Sequence, residues 1–340
     1  MPTADTSAAP AVSVVMPVLN EERYLAEAVE HVLAQRYPGE LEIVMAIGPS
    51  KDLTHEVAER LATEHPEVTV VDNPTGKTPA GLNLAIAAAR HDIIVRVDAH
   101  GDLTPGYIAT AVETMNRTGA ANVGGLMDAR GRTPFERAVA AAYNSPYGLG
   151  SSTFHLARSP EGPADTVFLG TFRRDALRRV GGFDETLFRA QDWDLNRRLR
   201  EAGETVWFTP AMKVTYRPRS TVKALATQFF ATGQWRREVV RRNPETASLR
   251  YLVPPATVAG LAAGTVAGVA GLASGRRWLR LGFAAPAAYA AFLAVATARM
   301  PKLDPQARLR LPGVLAVMQL TWGAGFLRGL PAGLRRDQGR

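Results

Sequence analysis

Hydrophobic positions in the first 130 residues alternate between short apolar runs and stripes with helical spacing. The runs predict four strands, at Val12–Val18, Leu41–Ile47, Val68–Asp72 and 92–98. The stripe through residues 25, 28, 29, 32 and 33 predicts an amphipathic helix, which Asn20 is placed to cap. Further helices are predicted at 52–64, 79–90 and 105–117. This repeated strand–helix alternation predicts an α/β protein with a mostly parallel sheet and helices on both faces.

The pattern is less regular between residues 131 and 245. It predicts a strand at 166–172, a helix at 193–202, strands at 204–209 and 212–216, and an Arg-rich helix at 221–242. Residues 143–152 are rich in Gly, Ser and Pro and predict a mobile loop. We therefore expect one catalytic domain over residues 12–245, in which ligands bind at the carboxyl ends of the parallel strands.

Beyond residue 246 the composition changes to apolar runs separated by arginines. Residues 251–275, 281–298 and 311–327 contain no charged side chain, and a membrane span needs about 20 apolar residues. We expect a membrane-associated tail of two or three helices at 246–340, with 251–275 as the best span. Two alternatives stay open: the tail is a soluble helical domain, or its last run lies in the membrane interface.

The net positive charge of the chain lies in this tail. The 340 residues carry a formal charge of +8, yet residues 246–340 hold twelve Lys and Arg against two Asp, so residues 1–245 have a net charge of −2. The tail therefore suits contact with membrane phospholipid, and a nucleic-acid partner is not expected. The absence of Cys excludes disulfides and thiolate chemistry. Residues 1–11 predict a disordered N-terminus and no signal peptide, so we expect a cytosolic catalytic domain at the cytoplasmic membrane.

Three acidic segments carry the candidate chemistry. Asp98 and His100 follow the fourth strand and suit one Mg²⁺ or Mn²⁺ ion, although Asp98 capping a turn beside an exposed His100 is equally compatible. Asp52 lies in a Gly-Pro-Ser turn that suits a base or ribose, and it also suits the start of a helix. Asp192 begins a helix beside Trp193, which suits either a helix cap or a general base with an indole for a sugar face.

Two basic residues are candidates for offsetting the charge of a bound diphosphate. Lys77 and Arg96 are the candidates in the α/β region, and each is equally compatible with a solvated surface position. Motifs for dinucleotide binding, the P-loop, zinc hydrolases and serine hydrolases do not occur in the sequence.

Read in order, these segments resemble family 2 of the inverting, nucleotide-sugar-dependent glycosyltransferases, which have a GT-A fold. The nearest subgroup resembles the succinoglycan-biosynthesis type, over about residues 12–245 and into the tail. The opening Val-Val-Met-Pro-Val-Leu-Asn-Glu-Glu at 14–22 resembles the family's first strand and turn. The resemblance therefore implies donor contacts from Pro17, Leu19, Asn20 and Glu21.

The second and third loops extend this resemblance on the donor side. Residues 48–54 occupy the family's Asp-Gly-Ser-x-Asp-x-Thr segment, with Gly48 in place of the first Asp and Asp52 as the remaining acid. Thr-Pro-Ala-Gly-Leu-Asn at 78–83 resembles the family segment that ends in Leu-Asn or Arg-Asn. The resemblance implies donor contacts from Asp52 and Asn83, and Lys77, which precedes the second segment, is the donor contact that its charge suggests.

The remaining motifs concern the metal and the acceptor. Asp-Ala-His at 98–100 takes the place of Asp-x-Asp, which implies a metal held by Asp98 and His100, with Asp98 also at the donor. Val-Gly-Gly-Phe-Asp-Glu at 180–185 resembles the acceptor-side segment and implies roles for Gly182 and Asp184. Gln-Asp at 191–192 matches Glu-Asp, so Asp192 is implied as the base, with Trp193 placing the acceptor.

The expected activity is a metal-dependent, inverting transfer of sugar from a nucleotide-sugar donor to a hydroxyl acceptor. A lipid-linked or saccharide acceptor fits the apolar tail. Two alternatives are a nucleotidyltransferase that shares the sheet and the metal, and a non-catalytic membrane adaptor with a degenerate nucleotide site. The first would release diphosphate and the second would bind no nucleotide sugar.

Overall fold

The computed structural model describes residues 9–150, 152–187, 189–300 and 303–331. Residues 1–8 of the predicted disordered N-terminus lie outside this range. The strands are β1 Val12–Val18, β2 Leu41–Ile47, β3 Val68–Asp72, β4 Ile93–Arg96, β5 Asp102–Leu103, β6 Asn122–Ala129, β7 Gly162–Pro163, β8 Phe168–Arg173 and β9 Val206–Tyr216. The helices are α1 Leu25–Leu33, α2 Thr54–Glu64, α3 Thr78–Ala88, α4 Tyr107–Thr118, α5 Pro134–Tyr143, α6 Pro146–Leu149, α7 Arg174–Arg179, α8 Gln191–Glu201, α9 Val222–Arg242, α10 Leu249–Ala273, α11 Ala284–Ala298 and α12 Pro305–Arg328.

The chain folds as two compact units. The first unit comprises Met1–Asp128 and Thr153–Tyr216, and the second comprises Ala129–Ser152 and Arg217–Arg340. This division differs from the domain boundary expected at residue 245. The reason is that α9 packs along α12, so α9 belongs with the tail helices.

The first unit is built on one mixed sheet with the order β3-β2-β1-β4-β8-β6-β9-β5. The pairs β1–β2, β1–β4 and β2–β3 are parallel, as the sequence predicts, whereas β8 pairs antiparallel with both β4 and β6. The carboxyl ends of β1, β2 and β4 therefore meet at one edge of the sheet. This edge carries the loops that contain most of the predicted site residues.

Alternating side chains of the strands separate two hydrophobic cores, one on each face. Val14 and Met16 of β1 lie in the core that also contains residues of α1, α2 and α4. Val15, between them, lies in the core formed with α3, α7 and α8. The period-two alternation of a strand places successive side chains on opposite faces, so this sheet is buried on both sides. The predicted α/β class with helices on both faces is confirmed.

The second unit holds α9 against α12 by close contact at glycines. A Cβ at Gly233 of α9 would overlap the carbonyl oxygen of Trp322, and one at Gly325 of α12 would overlap that of Phe230. Next to these contacts, Gln234 Nε2 donates to the Gly329 carbonyl oxygen at 2.8 Å. Part of the predicted Arg-rich helix is therefore bound to the end of α12.

The tail also forms an apolar hairpin, which we define as α10, the 3₁₀ turn Arg277–Phe283 and α11. A Cβ at Gly264 of α10 would lie 2.6 Å from the carbonyl oxygen of Gly282, so these small residues permit close packing. In the described part of the chain, Tyr251–Ala273 and Arg277–Ala298 are long and apolar enough to cross a membrane. The third apolar run lies in α12, where Leu311, Leu315 and Met318 are buried.

Several local expectations were wrong. Asn20 does not cap α1, because that helix begins at Leu25 and the Asn20 side chain binds the next loop instead. The two strands predicted at 204–209 and 212–216 are one strand, β9. Part of the predicted loop at 143–152 is the short helix α6. Strand β6 and helix α5 have no counterpart in the elements expected from the sequence.

Candidate donor and acceptor site

The loops after β1 and β2 are joined by hydrogen bonds. The backbone N–H of Asn20 donates to Ser50 Oγ at 3.0 Å, and the backbone N–H of Lys51 donates to the side-chain oxygen Oδ1 of Asn20 at 2.8 Å. The Glu21 amide donates to Thr54 Oγ1 at 2.8 Å. Asn20 has a φ of +55°, which is strained for a residue other than glycine and which these bonds hold in place. The two loops therefore form one pre-built surface at the carboxyl edge of the sheet.

Asp52 binds within this surface, two residues before α2 begins at Thr54. Its Oδ1 accepts from the Thr54 hydroxyl at 2.5 Å and the Thr54 amide at 3.2 Å, and its Oδ2 accepts from the Glu22 amide at 3.3 Å. The Thr54 hydroxyl bond, followed by the backbone amides, holds the pKa of Asp52 below its ordinary value. The carboxylate thus orders the loop before α2, but it does not occupy the cap position that the sequence also allowed, because the N-cap residue of α2 is Leu53.

The other donor-side candidates lie at the end of β1 and immediately before α3. Pro17 is partly buried near the end of β1, and the side chain of Leu19 is 40% exposed just beyond it. A Cβ on Gly48 would lie 3.0 Å from Leu19 Cδ1, so the glycine leaves room for this leucine. Lys77 immediately precedes α3, and its carbonyl oxygen accepts from Asn73 Nδ2 at 3.1 Å.

Asp98 and Asp192 are brought together by Arg96, although Arg96 and Asp192 are 96 residues apart in sequence. Arg96 Nε and Nη2 donate to Asp98 Oδ1 at 3.2 and 3.0 Å, and Nη1 donates to Asp192 Oδ1. Arg96 lies in β4 with its side chain 6% exposed, whereas the Asp192 side chain is 38% exposed. The predicted metal carboxylate and the predicted base therefore share one buried cation.

The charges of this cluster shift the pKa values of its members. Burial by itself lowers the pKa of the Arg96 guanidinium, but Asp192 and Asp98 outweigh it and hold that pKa above its ordinary value. Burial raises the pKa of the Asp192 carboxyl, the Arg96 cation opposes this shift, and the Asp98 carboxylate adds to it. A carboxylate whose pKa is raised accepts a proton more readily at neutral pH, which suits a general base.

His100 faces Glu21 in the first loop, with Nδ1 lying 2.9 Å from Glu21 Oε1. Histidines that bind metals commonly bond their second ring nitrogen to a carboxylate in this way. Both bonds from Arg96 to Asp98 go to Oδ1, so its Oδ2 takes no part in them. These groups fit a divalent cation. Among the described residues no three His, Asp or Glu side chains form a metal cluster, so the cation would also need oxygen ligands from a bound diphosphate.

Asn83 binds the turn that contains Gly182. Asn83 Nδ2 donates to the Phe183 carbonyl oxygen at 2.9 Å, and the Phe183 amide donates to Asn83 Oδ1 at 2.9 Å. Gly182 has a φ of +70°, and a Cβ there would lie 2.7 Å from Asn83 Oδ1. Asn83 also donates to Glu185 Oε1 at 2.9 Å. Its amide is therefore engaged in holding the acceptor-side turn, and its direct contact with a donor stays a prediction.

The same turn is held from α8 by Arg198. Its Nη1 donates to the Val180 carbonyl oxygen at 2.6 Å, and its Nη2 donates to that of Gly182 at 2.8 Å. Asp184 Oδ1 accepts from the Thr186 amide and hydroxyl at 2.8 and 2.7 Å, which orders the following residues. Helix α8 carries Asp192 in its first turn, followed by the half-buried Trp193. Arg198 thus connects the acceptor-side turn to the helix of the predicted base.

Sequence reasoning missed how three of these residues act. The sequence suggests only that Arg96 offsets the negative charge of a diphosphate, although an arginine in a buried strand indicates a carboxylate partner. The pairing of Glu21 with His100 and the bonds of Arg198 have no signal in the local sequence, because their partners lie on other elements.

Comparison with known proteins identifies the family of this chain. The family model described as Glycosyl transferase family 2 matches residues 13–181. The succinoglycan biosynthesis protein ExoA of Rhizobium meliloti is 32% identical over 324 residues, which cover 93% of this chain and 94% of that protein. A dolichyl N-acetyl-α-D-glucosaminyl phosphate 3-β-D-2,3-diacetamido-2,3-dideoxy-β-D-glucuronosyltransferase of Methanococcus voltae is 25% identical, covering 68% of this chain and 74% of that protein.

A solved structure shows the same fold. The mannosyltransferase PcManGT of Pyrobaculum calidifontis, in complex with GDP-Man and Mn²⁺, aligns with a TM-score of 0.57 at 21% identity. The alignment covers 95% of this chain and 89% of that one. The predicted GT-A fold is therefore confirmed. The chain belongs to glycosyl transferase family 2, and it is a glycosyltransferase and not a nucleotidyltransferase or a non-catalytic adaptor.

Proposed function

We propose that this enzyme transfers a sugar from a nucleotide-sugar donor to a hydroxyl group of a lipid-linked or saccharide acceptor, with inversion at C1. One observation carries the proposal: Asp98 and Asp192 both bind the guanidinium of Arg96. A carboxylate on the donor side therefore lies next to a carboxylate that is 38% exposed and available to an acceptor. An inverting transfer needs a base on the face of the sugar opposite the leaving diphosphate.

Asp192 acts as the general base in this proposal. Its carboxylate accepts the proton of the acceptor hydroxyl, and the resulting oxygen nucleophile forms a bond to C1 of the donor sugar. The bond from C1 to the diphosphate oxygen breaks, and the electron pair leaves with the nucleoside diphosphate. The raised pKa of Asp192 supports this role, since a general base works best when its pKa lies near the working pH. Trp193 offers an indole face on which the acceptor sugar stacks.

In this proposal Asp98 and His100 would hold a divalent cation, Mg²⁺ or Mn²⁺, which would supply positive charge for the leaving diphosphate. Glu21 orients His100 by binding its Nδ1. The surface formed by the first two loops, with Pro17, Leu19, Asn20 and Asp52, binds the nucleoside part of the donor. Lys77 at the start of α3 offsets diphosphate charge. Because the backbone of these loops is already bonded together, donor binding orders few residues.

The acceptor is lipid-linked or membrane-proximal in this proposal, and the enzyme acts in polysaccharide or glycan assembly. The apolar hairpin supports a location at the cytoplasmic membrane, with the first unit facing the cytosol and the basic tail touching phospholipid. The Methanococcus relative is named for a dolichyl phosphate substrate, and the Rhizobium relative for succinoglycan biosynthesis. Gly182 and Asp184 order the turn on the acceptor side of the site. Screening of nucleotide sugars identifies the sugar and the base of the donor.

The test uses the full chain in detergent with UDP-, GDP- and dTDP-sugars and Mn²⁺. We expect one donor to raise the melting temperature and to be hydrolysed or transferred. Asp192→Asn should bind this donor normally and lose about 10²–10⁴-fold in turnover. Glu201→Gln is the matched control, because Glu201 lies at the other end of the same helix and binds Arg197, which does not contact the acceptor-side turn. It should retain turnover.

The metal role is tested separately by calorimetry. Asp98→Ala should lose the Mn²⁺-dependent part of donor affinity, and EDTA should have the same effect on the unmodified enzyme. Unchanged affinity in Asp98→Ala with Mn²⁺ would refute the metal assignment. Full turnover of Asp192→Asn would refute the base assignment.

A further inference from the structure

Arg96 has an unusual position for an arginine in this fold. Strand β4 is central, between β1 and β8, and all four of its residues are buried. The Arg96 side chain is 6% exposed, so it lies beneath the exposed surface of the site. A buried arginine is retained only where its charge is paired and its N–H groups find acceptors.

The pairing uses three of the five guanidinium N–H groups in one plane. Nε and Nη2 bind Asp98 Oδ1, and Nη1 binds Asp192 Oδ1. A guanidinium presents these donors in a rigid fork, so its orientation fixes both carboxylates at once. A lysine ammonium is a single point charge and does not impose the same relation between two partners.

We propose that Arg96 is a positioning residue that fixes the Asp192 carboxylate relative to Asp98, and thereby aligns the base with the donor. This inference rests on the proposed role of Asp192 as the base. Without the cation, two neighbouring carboxylates repel each other, and a bound diphosphate adds further negative charge. The Asp192 side chain would then turn toward solvent, away from the acceptor hydroxyl. A misplacement of about 1 Å in a catalytic geometry lowers the rate by about 100-fold.

Two other roles would also explain a buried arginine. In the first, Arg96 binds the donor diphosphate directly, so that its loss weakens donor binding whether or not Asp192 is present. In the second, Arg96 only stabilises the fold, so that its loss lowers the melting temperature and leaves the turnover of the folded enzyme unchanged. These roles predict different dependence on Asp192, which a double-mutant cycle measures.

The experiment compares Arg96→Met, Asp192→Asn and the double variant in the full-length enzyme, with kcat and donor KM measured for the donor found by screening. We expect Arg96→Met alone to lower kcat about 100-fold, with a smaller change in donor KM. In the Asp192→Asn background, Arg96→Met should change kcat by less than about threefold, because the base it positions is gone. An equal loss in both backgrounds would overturn the inference.

Two further variants keep the result interpretable. Arg174→Met is the matched control, since Arg174 is also a buried arginine with 6% exposure. Its guanidinium donates to the carbonyl oxygen of His91, a residue that precedes β4, and not to a carboxylate of the site. This variant should lower the melting temperature without lowering kcat. Arg96→Lys keeps the charge and should recover only part of kcat, even if Arg96→Met does not fold. Normal kcat in Arg96→Lys would contradict the claim that the planar guanidinium is needed to orient both carboxylates.

The outcomes also separate this inference from the proposed function. If Asp192→Asn keeps full turnover, the base assignment fails. If Asp192→Asn loses turnover while Arg96→Met keeps its kcat, the base assignment stands and the positioning role of Arg96 is refuted.

Discussion

The turn between α7 and α8 offers a comparison between two adjacent glycines. Gly181 and Gly182 have φ values of +77° and +70°, so alanine at either position is strained by about 1 kcal/mol. A Cβ at Gly181 would meet no heavy atom within 4 Å, whereas one at Gly182 would lie 2.7 Å from Asn83 Oδ1. Gly182→Ala should therefore also break the two hydrogen bonds between Asn83 and Phe183, each worth about 0.5–1.5 kcal/mol. The expected losses are about 1 kcal/mol at Gly181 and about 2–4 kcal/mol at Gly182.

Thermal unfolding of the detergent-solubilised enzyme measures this difference. In proteins of 150–250 residues a loss of 1 kcal/mol lowers the melting temperature by about 2–4 °C, and the shift grows in proportion to the loss. Gly182→Ala should therefore lower the melting temperature at least twice as far as Gly181→Ala. Adding Asn83→Ala to Gly182→Ala should cost little more than the exposed bond to Glu185, because the two bonds to Phe183 are already broken. Equal shifts for the two glycine variants would refute the claim that Asn83 holds this turn.

Three further outcomes are expected from stability measurements. Hydrogen bonds from Ser13 and Arg90 outweigh burial and hold the pKa of the Glu42 carboxyl below its ordinary value. The ionised carboxylate therefore stabilises the fold above about pH 4.3, and this stabilisation is lost as the pH falls through the folded-state pKa. Glu42→Gln should lower the free energy of unfolding by about 1–3 kcal/mol at pH 7 and by progressively less in acid. Gly264→Leu should destabilise the apolar hairpin in detergent micelles, measured by protease protection, whereas Gly260→Leu should not, since a Cβ there would meet nothing within 4 Å. Asp304→Ala removes both the cap of α12 and an ion pair with Arg137, so it should lower the midpoint of urea unfolding by more than the loss of the ion pair alone.

The first part of the fold was predictable because its signals are local. The strands β1, β2 and β3 have the bounds that the sequence predicts, since each is a continuous apolar run that ends at a polar or turn segment. Strand β9 runs through Pro210, which lies between the two strands that the sequence predicts. Pro210 also lies between the segment of β9 that pairs with β7, at Trp207 and Phe208, and the segment that pairs with β5, at Val214 and Thr215.

The site was predictable as a set of residue types but not as a set of contacts. Asp98, Asp192 and His100 are singled out by their positions at the ends of elements. The pairings of Arg96 with Asp192 and of Glu21 with His100 join residues 96 and 79 positions apart, which local periodicity does not describe. Asn83 illustrates the limit, because its partner Phe183 lies 100 residues further along the chain.

The packing of α12 has a practical consequence for protein engineering. A truncation at residue 245 would remove the apolar hairpin, but it would also remove the helix whose Gly325 lies against α9. The exposed apolar face of α9 would then promote aggregation. Replacing residues 249–300 by a short hydrophilic linker would leave α12 on α9 and α5, which are its main partners. A soluble, crystallisable form of this enzyme is therefore better obtained by internal deletion than by shortening the chain.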